Sequence, residues 1–228
     1  MKLKPEDILS SIRDDLGLQK KDLNEAFVVA DRVFDIKTDK LSEKSIAAHQ
    51  ELLKKYIETL NTVSAELDTA NRQDANSNHS AYRSLKIDET FNTNASFLHG
   101  MYFDNIGDMH STITADSLTY MRIERDFGSF DDWQKDFIAC AMSARNGWVL
   151  TVYNGFLKRY MNVVVDLHSL NVPVNAYPVV VLDMWEHAYY RDYLNDKKAY
   201  VFNMMKELNW GVIEKRVVKA DKIGKVLS

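Results

Sequence analysis

Asp183 and His187 are the two residues of this sequence whose types and spacing most directly suggest chemistry. They stand four residues apart, immediately after the apolar run 179–182. Such a run is typical of a buried strand, so both side chains follow the end of that strand. A carboxylate oxygen and an imidazole nitrogen suit an ion such as manganese, iron or zinc. The pair therefore predicts half of a metal site.

The flanking residues favour this interpretation over a purely structural one. A bare D-x-x-x-H spacing is more typical of a helix-capping Asp183 and a core His187 whose ring nitrogens are satisfied. Here, however, residues 183–190 read D-M-W-E-H-A-Y-Y and resemble the D-x-W-E-H-A-Y-Y signature of the iron/manganese superoxide dismutases. In that family the Asp and the His supply two of four protein ligands. The resemblance implies a superoxide dismutase that cycles one Mn or Fe ion per chain and acts on the superoxide anion.

The resemblance extends over the last half of the chain. Residues 125–133 resemble the family's R-D-F-G-S-F-x-x-F/W segment, and Gly147-Trp148 resembles its G-W strand start. Residues 208–210 read L-N-W and resemble the start of the family's closing helix. Upstream, the match consists of two histidines and a tyrosine. The resemblance gives these two histidines the remaining ligand positions, so the implied metal ligands are His49, His99, Asp183 and His187.

The first helix departs from the family pattern by one residue. The family's tyrosine follows its first ligand by eight residues, whereas Tyr56 follows His49 by seven. If Tyr56 is held fixed, the ligand position falls on Ala48 and the site loses one arm. If the helix instead lacks a one-residue π-bulge, His49 and Tyr56 share a face, because seven residues at about 100° each return almost to the starting direction. We prefer the second alignment, since His49 already lies in the buried stripe.

The surroundings of the ligands contain further departures and one match. The family's middle histidine, which borders the substrate channel, falls at Leu52 or Leu53, and its amide-bearing helical position falls at Ala95. His168 lies fifteen residues before the ligand aspartate, as in family members that use a histidine instead of the amide. The resemblance thus gives catalytic roles to Tyr56 and His168, in gating the channel and relaying protons. The structural alternative for His168 is a loop histidine after a strand.

Glu186 and Tyr190 suggest how the protein assembles. A glutamate beside a buried ligand is costly unless it is paired. In the family this glutamate reaches the ligand histidine of the other subunit across a two-fold axis. The resemblance therefore implies a homodimer formed through Glu186 and Tyr190. The alternative is an exposed glutamate in the first turn of a helix, where the helix dipole favours it.

Hydrophobic periodicity predicts an α+β fold that begins with a long antiparallel helical hairpin. Apolar residues recur at three-four spacing over residues 41–67 and again over 95–106, with His49 in the first stripe and His99 in the second. A polar stretch at 71–79 separates the stripes. Two antiparallel helices joined there would bring the two histidines together.

The second half of the chain predicts a small three-stranded antiparallel sheet packed with helices. Runs rich in β-branched and aromatic residues at 148–153 and 160–165 are joined by Asn154-Gly155, a pair typical of a hairpin. A third run at 178–182 leads into Asp183. Helical patterns cover approximately residues 114–124, 130–145, 196–208 and 209–218.

These elements predict three regions. Residues 1–40 form an N-terminal extension with a short amphipathic helix (Ile8, Ile12, Leu16), residues 41–113 form the helical hairpin, and residues 114–228 form the α/β region. The extension has no counterpart that we identify in the family. Together with the shifted first helix and the missing channel histidine, it leaves an alternative function open. That alternative is an inactive dismutase-fold protein with a structural role in a larger assembly.

Composition excludes several other classes. Lys+Arg 29 against Asp+Glu 33 gives a net charge of -4, which argues against a nucleic-acid binder that must neutralise many phosphates. The single cysteine excludes an internal disulfide. No run approaches the roughly 18 consecutive apolar residues of a membrane span, and the N-terminus lacks the apolar segment of a secretory signal. We therefore expect a cytoplasmic protein without a membrane partner.

Overall fold

Two long helices form a hairpin at the start of the described fold. The computed structural model describes residues 27–108 and 110–226, so the predicted helix around Ile8, Ile12 and Leu16 lies outside the described residues. Helix α1 spans Glu43–Thr69 and helix α2 spans Ala81–Asn105. Ser42 and Ser80 cap their N-termini by accepting hydrogen bonds from backbone N–H groups. The predicted hairpin is confirmed.

Helix α1 is one uninterrupted α-helix, without a π-bulge. Its buried residues recur every three or four positions, which forms one continuous stripe against the rest of the protein. His49 and Leu53 both belong to that stripe. Ala48 is exposed. The straight-helix alignment therefore agrees with the observed helix.

The sheet has three antiparallel strands in the order β2-β1-β3. Strand β1 spans Gly147–Asn154, β2 spans Arg159–Asp166 and β3 spans Ala176–Asp183. All eight residues of the central strand β1 are buried, because neighbouring strands and helices cover it. The predicted sheet is confirmed. In register, Trp148 pairs with Asp183, which places the end of β3 beside the start of β1.

The β1–β2 hairpin differs in detail from the simplest expectation for an Asn-Gly pair. The turn covers residues 155–158 rather than two residues. The Asn154 side chain accepts hydrogen bonds from the backbone N–H groups of Phe156 and Leu157, and Lys158 adopts a positive φ of 54°. The asparagine therefore organises a longer turn through its side chain.

In the described part of the chain, five further helices surround the sheet. The predicted helix near 114–124 begins only after Ser117, whose hydroxyl caps it, and the last helix continues well past residue 218. Asp196 caps the helix that begins at Lys197, and this helix ends at Met204 instead of 208. The bounds are α3 Leu118–Phe127, α4 Phe130–Ser143, α5 Glu186–Tyr193, α6 Lys197–Met204 and α7 Trp210–Val226.

One hydrophobic core joins the hairpin to the sheet. It contains Leu53 and Leu98 from the two long helices as well as Val180 from the third strand. We retain the division into residues 1–40, 41–113 and 114–228 as a proposal, with a core that crosses the boundary at 113. Among the helices of the described residues, none combines the length and apolarity needed to cross a membrane.

Candidate metal centre

Asp183 is the residue around which the site is built. It is the last residue of β3 and is fully buried. Its Oδ1 accepts a hydrogen bond of 2.8 Å from the backbone N–H of Trp185, so this oxygen turns the chain towards α5. Burial opposes ionisation of the Asp183 carboxyl, but the facing imidazoles of His187 and His49 outweigh it and hold the pKa below its usual value. The other oxygen, Oδ2, is left to face the histidines.

Three histidines direct their Nε2 atoms at Asp183 Oδ2. The distance from this oxygen is 3.1 Å for His49 on α1, 3.2 Å for His187 on α5 and 3.6 Å for His99 on α2. His49 and His99 are buried, whereas the His187 side chain is 26% exposed. The hairpin and the end of the sheet thus bring His49 and Asp183 together, although they are 134 positions apart in sequence.

His99 shows that this arrangement fits a cation. Its Nδ1 lies 2.7 Å from the carbonyl oxygen of Ala95, which can only accept, so Nδ1 carries a hydrogen. Burial lowers the pKa of His99 to about 3, so the ring is neutral and Nε2 bears a lone pair. That lone pair faces the carboxylate of Asp183 and, at 3.4 Å, the Nε2 of His187. A cation between these electron-rich atoms would remove their mutual repulsion.

The spacing of the four ligand atoms is also that of a metal site. All of them lie within 4.8 Å of one another. Ligand bonds of roughly 2.1 Å at angles between tetrahedral and trigonal place neighbouring ligand atoms about 3.4 to 3.6 Å apart. The distances from Asp183 Oδ2 to the three imidazole nitrogens, 3.1 to 3.6 Å, are close to these values. Imidazole nitrogen and carboxylate oxygen ligands suit iron or manganese. The set would supply three nitrogen ligands and one oxygen ligand to a single ion.

Aromatic rings enclose the ligands. Trp148 meets His99 edge-on at 4.9 Å, and Phe103 meets His49 at 4.8 Å between ring centroids. Trp185 stacks on the ring of His187 at 5.8 Å. These contacts exclude water from most of the site and restrict the rotation of the ligand imidazoles. Trp148, Trp185 and Phe103 thus form aromatic walls around the ligands.

Tyr56 and His168 lie together beside the ligands. The Tyr56 hydroxyl is 3.1 Å from His168 Nε2, and its ring packs at 5.2 Å on the ring of His99. Trp148 Nε1 donates to His168 Nδ1 at 2.9 Å. Burial lowers the pKa of His168 to about 4 and, with the charge of Asp183, raises the pKa of Tyr56. Both groups are therefore neutral near pH 7.

Several residues that support His168 and Asp183 were not predicted from the sequence. Asn94 donates to the carbonyl oxygen of His168 at 2.8 Å, and Tyr200 donates to that of Asp183 at 2.8 Å. Leu167 adopts a positive φ of 54°, which costs a leucine about 1–2 kcal/mol. Tyr200 could have been anticipated, because a buried tyrosine needs a partner for its hydroxyl. Nothing in the sequence around Leu167 indicates its backbone conformation.

Other sequence candidates lie outside this cluster. Leu53, one turn after His49, is buried and apolar, so no histidine occupies the channel position. His79 and His110 are exposed loop residues. Glu186 and Tyr190 are exposed and line a concavity of about 410 Å³ that also reaches His49 and His187. This concavity gives the ligands an opening to the surface.

The fold and the site together define a metalloprotein of a particular class. A helical hairpin and a three-stranded sheet bring three histidines and one aspartate around one position, with an apolar aromatic surround. Residues 116–216 match the family model described as iron/manganese superoxide dismutases, C-terminal domain.

Relatives with known names extend the similarity to most of the chain. The chain is 33% identical over 186 residues to an iron superoxide dismutase of Aquifex pyrophilus, covering 80% of this chain and 86% of the relative. It is 36% identical over 176 residues to an iron superoxide dismutase of Cupriavidus metallidurans, covering 75% and 85%. A manganese superoxide dismutase of Halobacterium salinarum is 31% identical over 185 residues, covering 79% and 88%. The chain belongs to the iron/manganese superoxide dismutase family.

Membership agrees with the ligand set observed in the structure. The three histidines and the aspartate form a single site for iron or manganese. The predicted family, fold class and cofactor are confirmed. Relatives named for each metal resemble the chain to a similar degree, so the similarity does not choose between the two ions.

Proposed function

We propose that the protein is a superoxide dismutase that converts two superoxide anions and two protons into oxygen and hydrogen peroxide. The observation that carries this proposal is the convergence of the four ligand atoms within 4.8 Å, in a chain of this family. When bound, iron or manganese supplies the one-electron redox chemistry of the reaction. The protein residues hold the ion, exclude water and deliver protons.

Tyr56 and His168 are the groups that we assign to proton delivery. The indole N–H of Trp148 can only donate, so His168 Nδ1 must accept and its hydrogen must reside on Nε2. His168 Nε2 then donates to the oxygen of Tyr56. The Tyr56 hydroxyl hydrogen is consequently free to point away from His168. In that orientation Tyr56 can donate a proton or a hydrogen bond to an anion beside His99.

Metal content and catalysis test the proposed function together. Protein produced with manganese or iron is expected to hold about one ion per chain, because the described residues contain one complete ligand set. The loaded protein should accelerate superoxide decay well beyond the same concentration of free ion. Elemental analysis and stopped-flow superoxide decay measure the two quantities. Absence of a tightly held ion, or of activity in loaded protein, would favour the alternative structural role in a larger assembly.

We further propose a homodimer formed through Glu186 and Tyr190. A metal-binding imidazole normally donates its second nitrogen to a carboxylate, carbonyl or water. His187 directs Nε2 at the site, and within the described residues of one chain its Nδ1 has no hydrogen-bond partner. Glu186 is exposed in the adjoining concavity. Its carboxylate could therefore accept a hydrogen bond from a second subunit across a two-fold interface. Glu186 of the partner subunit would accept the hydrogen bond from His187.

The mass of the protein in solution tests this assembly. At micromolar concentration we expect light scattering to give twice the 26.3 kDa chain mass. Glu186→Ala should shift the equilibrium towards the monomer, because it removes the carboxylate that pairs across the axis. Glu43→Ala, which also removes an exposed first-turn glutamate but on α1, is the matched control. A monomeric wild type would contradict the dimer. The cytoplasmic location stays a prediction.

A further inference from the structure

Residues 27–40 form a strap that runs along helix α1 in the opposite direction. The Val29 backbone exchanges two hydrogen bonds with the Asn61 side chain, at 2.7 and 3.0 Å. The Phe34 backbone exchanges two more with the Gln50 side chain, both at 2.9 Å. The five residue steps from Val29 to Phe34 in the strap and the eleven from Gln50 to Asn61 in the helix each cover about 16 Å, so both pairs of hydrogen bonds can form at once. The amides therefore hold the strap in one register on the helix.

Phe34 is the strap residue that reaches the interior. It is 8% exposed, whereas Val28 is 86% and Val33 is 85% exposed. Arg32 places its guanidinium 4.3 Å from the centroid of the Phe34 ring and forms a two-pronged ion pair with Asp104 of α2, at 2.6 and 3.0 Å. Arg32 thus covers the ring of Phe34, while Gln50 of α1 binds the Phe34 backbone.

The buried side of Phe34 leads directly to the metal centre. Its ring packs on Phe103 with centroids 5.2 Å apart, and Phe103 in turn packs on His49 at 4.8 Å. Gln50, which holds the Phe34 backbone, is the residue after His49. The strap is therefore connected to His49 by two short routes, one through the ring of Phe103 and one through Gln50 and the helix backbone.

We propose that the strap is a positioning element of the metal centre, in which Phe34, held by Gln50 and Arg32, fixes the His49 ring through Phe103. This inference rests on the proposed function, because it requires His49 to bind the ion. Imidazole ligands need outer contacts that fix their orientation, and such contacts commonly change metal affinity by about 10- to 100-fold. The strap supplies this support to His49 by packing, as Ala95 supplies it to His99 by a hydrogen bond.

Two amide variants separate this role from general attachment of the strap. Gln50→Ala and Asn61→Ala each remove one two-bond clamp between strap and helix, but only Gln50 holds Phe34. In the full-length protein loaded with Co²⁺, we expect Gln50→Ala to speed release of the ion to EDTA by roughly tenfold. Its visible Co²⁺ absorption band should also shift, because the His49 ring is less constrained. Asn61→Ala should leave both quantities near those of the wild type.

A second pair of variants controls for lost core packing. Phe34→Leu and Phe137→Leu both replace a buried ring with a smaller aliphatic side chain. The ring of Phe137 packs on Trp133, away from the ligands. Both should lower the melting temperature, but only Phe34→Leu should change Co²⁺ release and absorption. If Phe34→Leu and Gln50→Ala release Co²⁺ no faster than their controls, the strap is only structural. If the wild type itself fails to bind one Co²⁺ per chain, the proposed function fails instead.

Discussion

Replacing His49 with alanine is expected to remove nearly all bound iron or manganese and, with it, the dismutase activity. The substitution takes away one of four protein ligands and leaves a cavity where a buried imidazole had packed. Loss of a residue that only orients a metal ligand already lowers metal affinity by about 10- to 100-fold, so loss of a ligand itself should lower it by more than roughly 100-fold. Metal content after dialysis against a weak chelator, measured by elemental analysis, gives the result directly.

The His49 variant also decides between the two alignments of the first helix. His110→Ala removes an exposed histidine and is the control for any general effect of losing an imidazole. The double variant Ala48→His with His49→Ala moves the histidine to the position required by the rejected alignment. On an uninterrupted α-helix that position faces solvent, so metal binding should not return. Normal metal content in His49→Ala, with only a lower melting temperature, would make His49 a core histidine.

The sequence was most informative where the site depends on local geometry. Asp183 ends strand β3 and His187 lies in the first turn of α5 four residues later, so one short motif brings both side chains to the same place. His49 required a second step, the phase of a long helix whose apolar stripe is unbroken. The resemblance to the family identified the residues that complete the set. These are the features that periodicity and short motifs record.

Contacts made across long sequence distances could not be predicted in the same way. His168 and Tyr56 are 112 positions apart, and their hydrogen bond depends on how the loop after β2 meets the hairpin. The left-handed backbone of Leu167, which precedes His168, has no signal in a leucine side chain. Only the folded context can hold such a residue there.

The N-terminal region illustrates the same limit. The sequence showed no family counterpart for residues 1–40, which favoured an extension with a separate role. The structure packs residues 27–40 against both helices of the hairpin, with Phe34 in the core. The strap is held by side-chain amides that bind its backbone. Such hydrogen bonds leave no periodic hydrophobic pattern in the sequence, so periodicity does not reveal them. Residues 27–40 therefore give no support to the alternative scaffold role.

The direction of the hydrogen bonds around His168 leads to the second large expected effect. The Trp148 indole fixes the hydrogen on His168 Nε2 and so makes the Tyr56 oxygen an acceptor. His168→Leu removes the donor to Tyr56 and should lower kcat by about 100-fold, the lower end of the usual range for positioned proton-transfer groups. Metal content should stay near one ion per chain, because His168 is not among the four ligands. His79→Leu, at an exposed loop histidine, is the control.

A glutamine at position 168 provides the sharper test of this directional argument. Its amide oxygen can accept from Trp148 while its N–H donates to Tyr56, so His168→Gln should recover much of the kcat that His168→Leu loses. Trp148→Phe removes the indole donor and allows His168 to carry its hydrogen on Nδ1, in which case Nε2 accepts from Tyr56 and the hydroxyl hydrogen turns away from the site. We expect an intermediate loss of kcat, roughly tenfold, in that variant. Stopped-flow superoxide decay at matched metal content measures all three variants. Equal activity of His168→Leu and His168→Gln would show that the donor to Tyr56 has no part in proton delivery, and the role of His168 would then be packing alone.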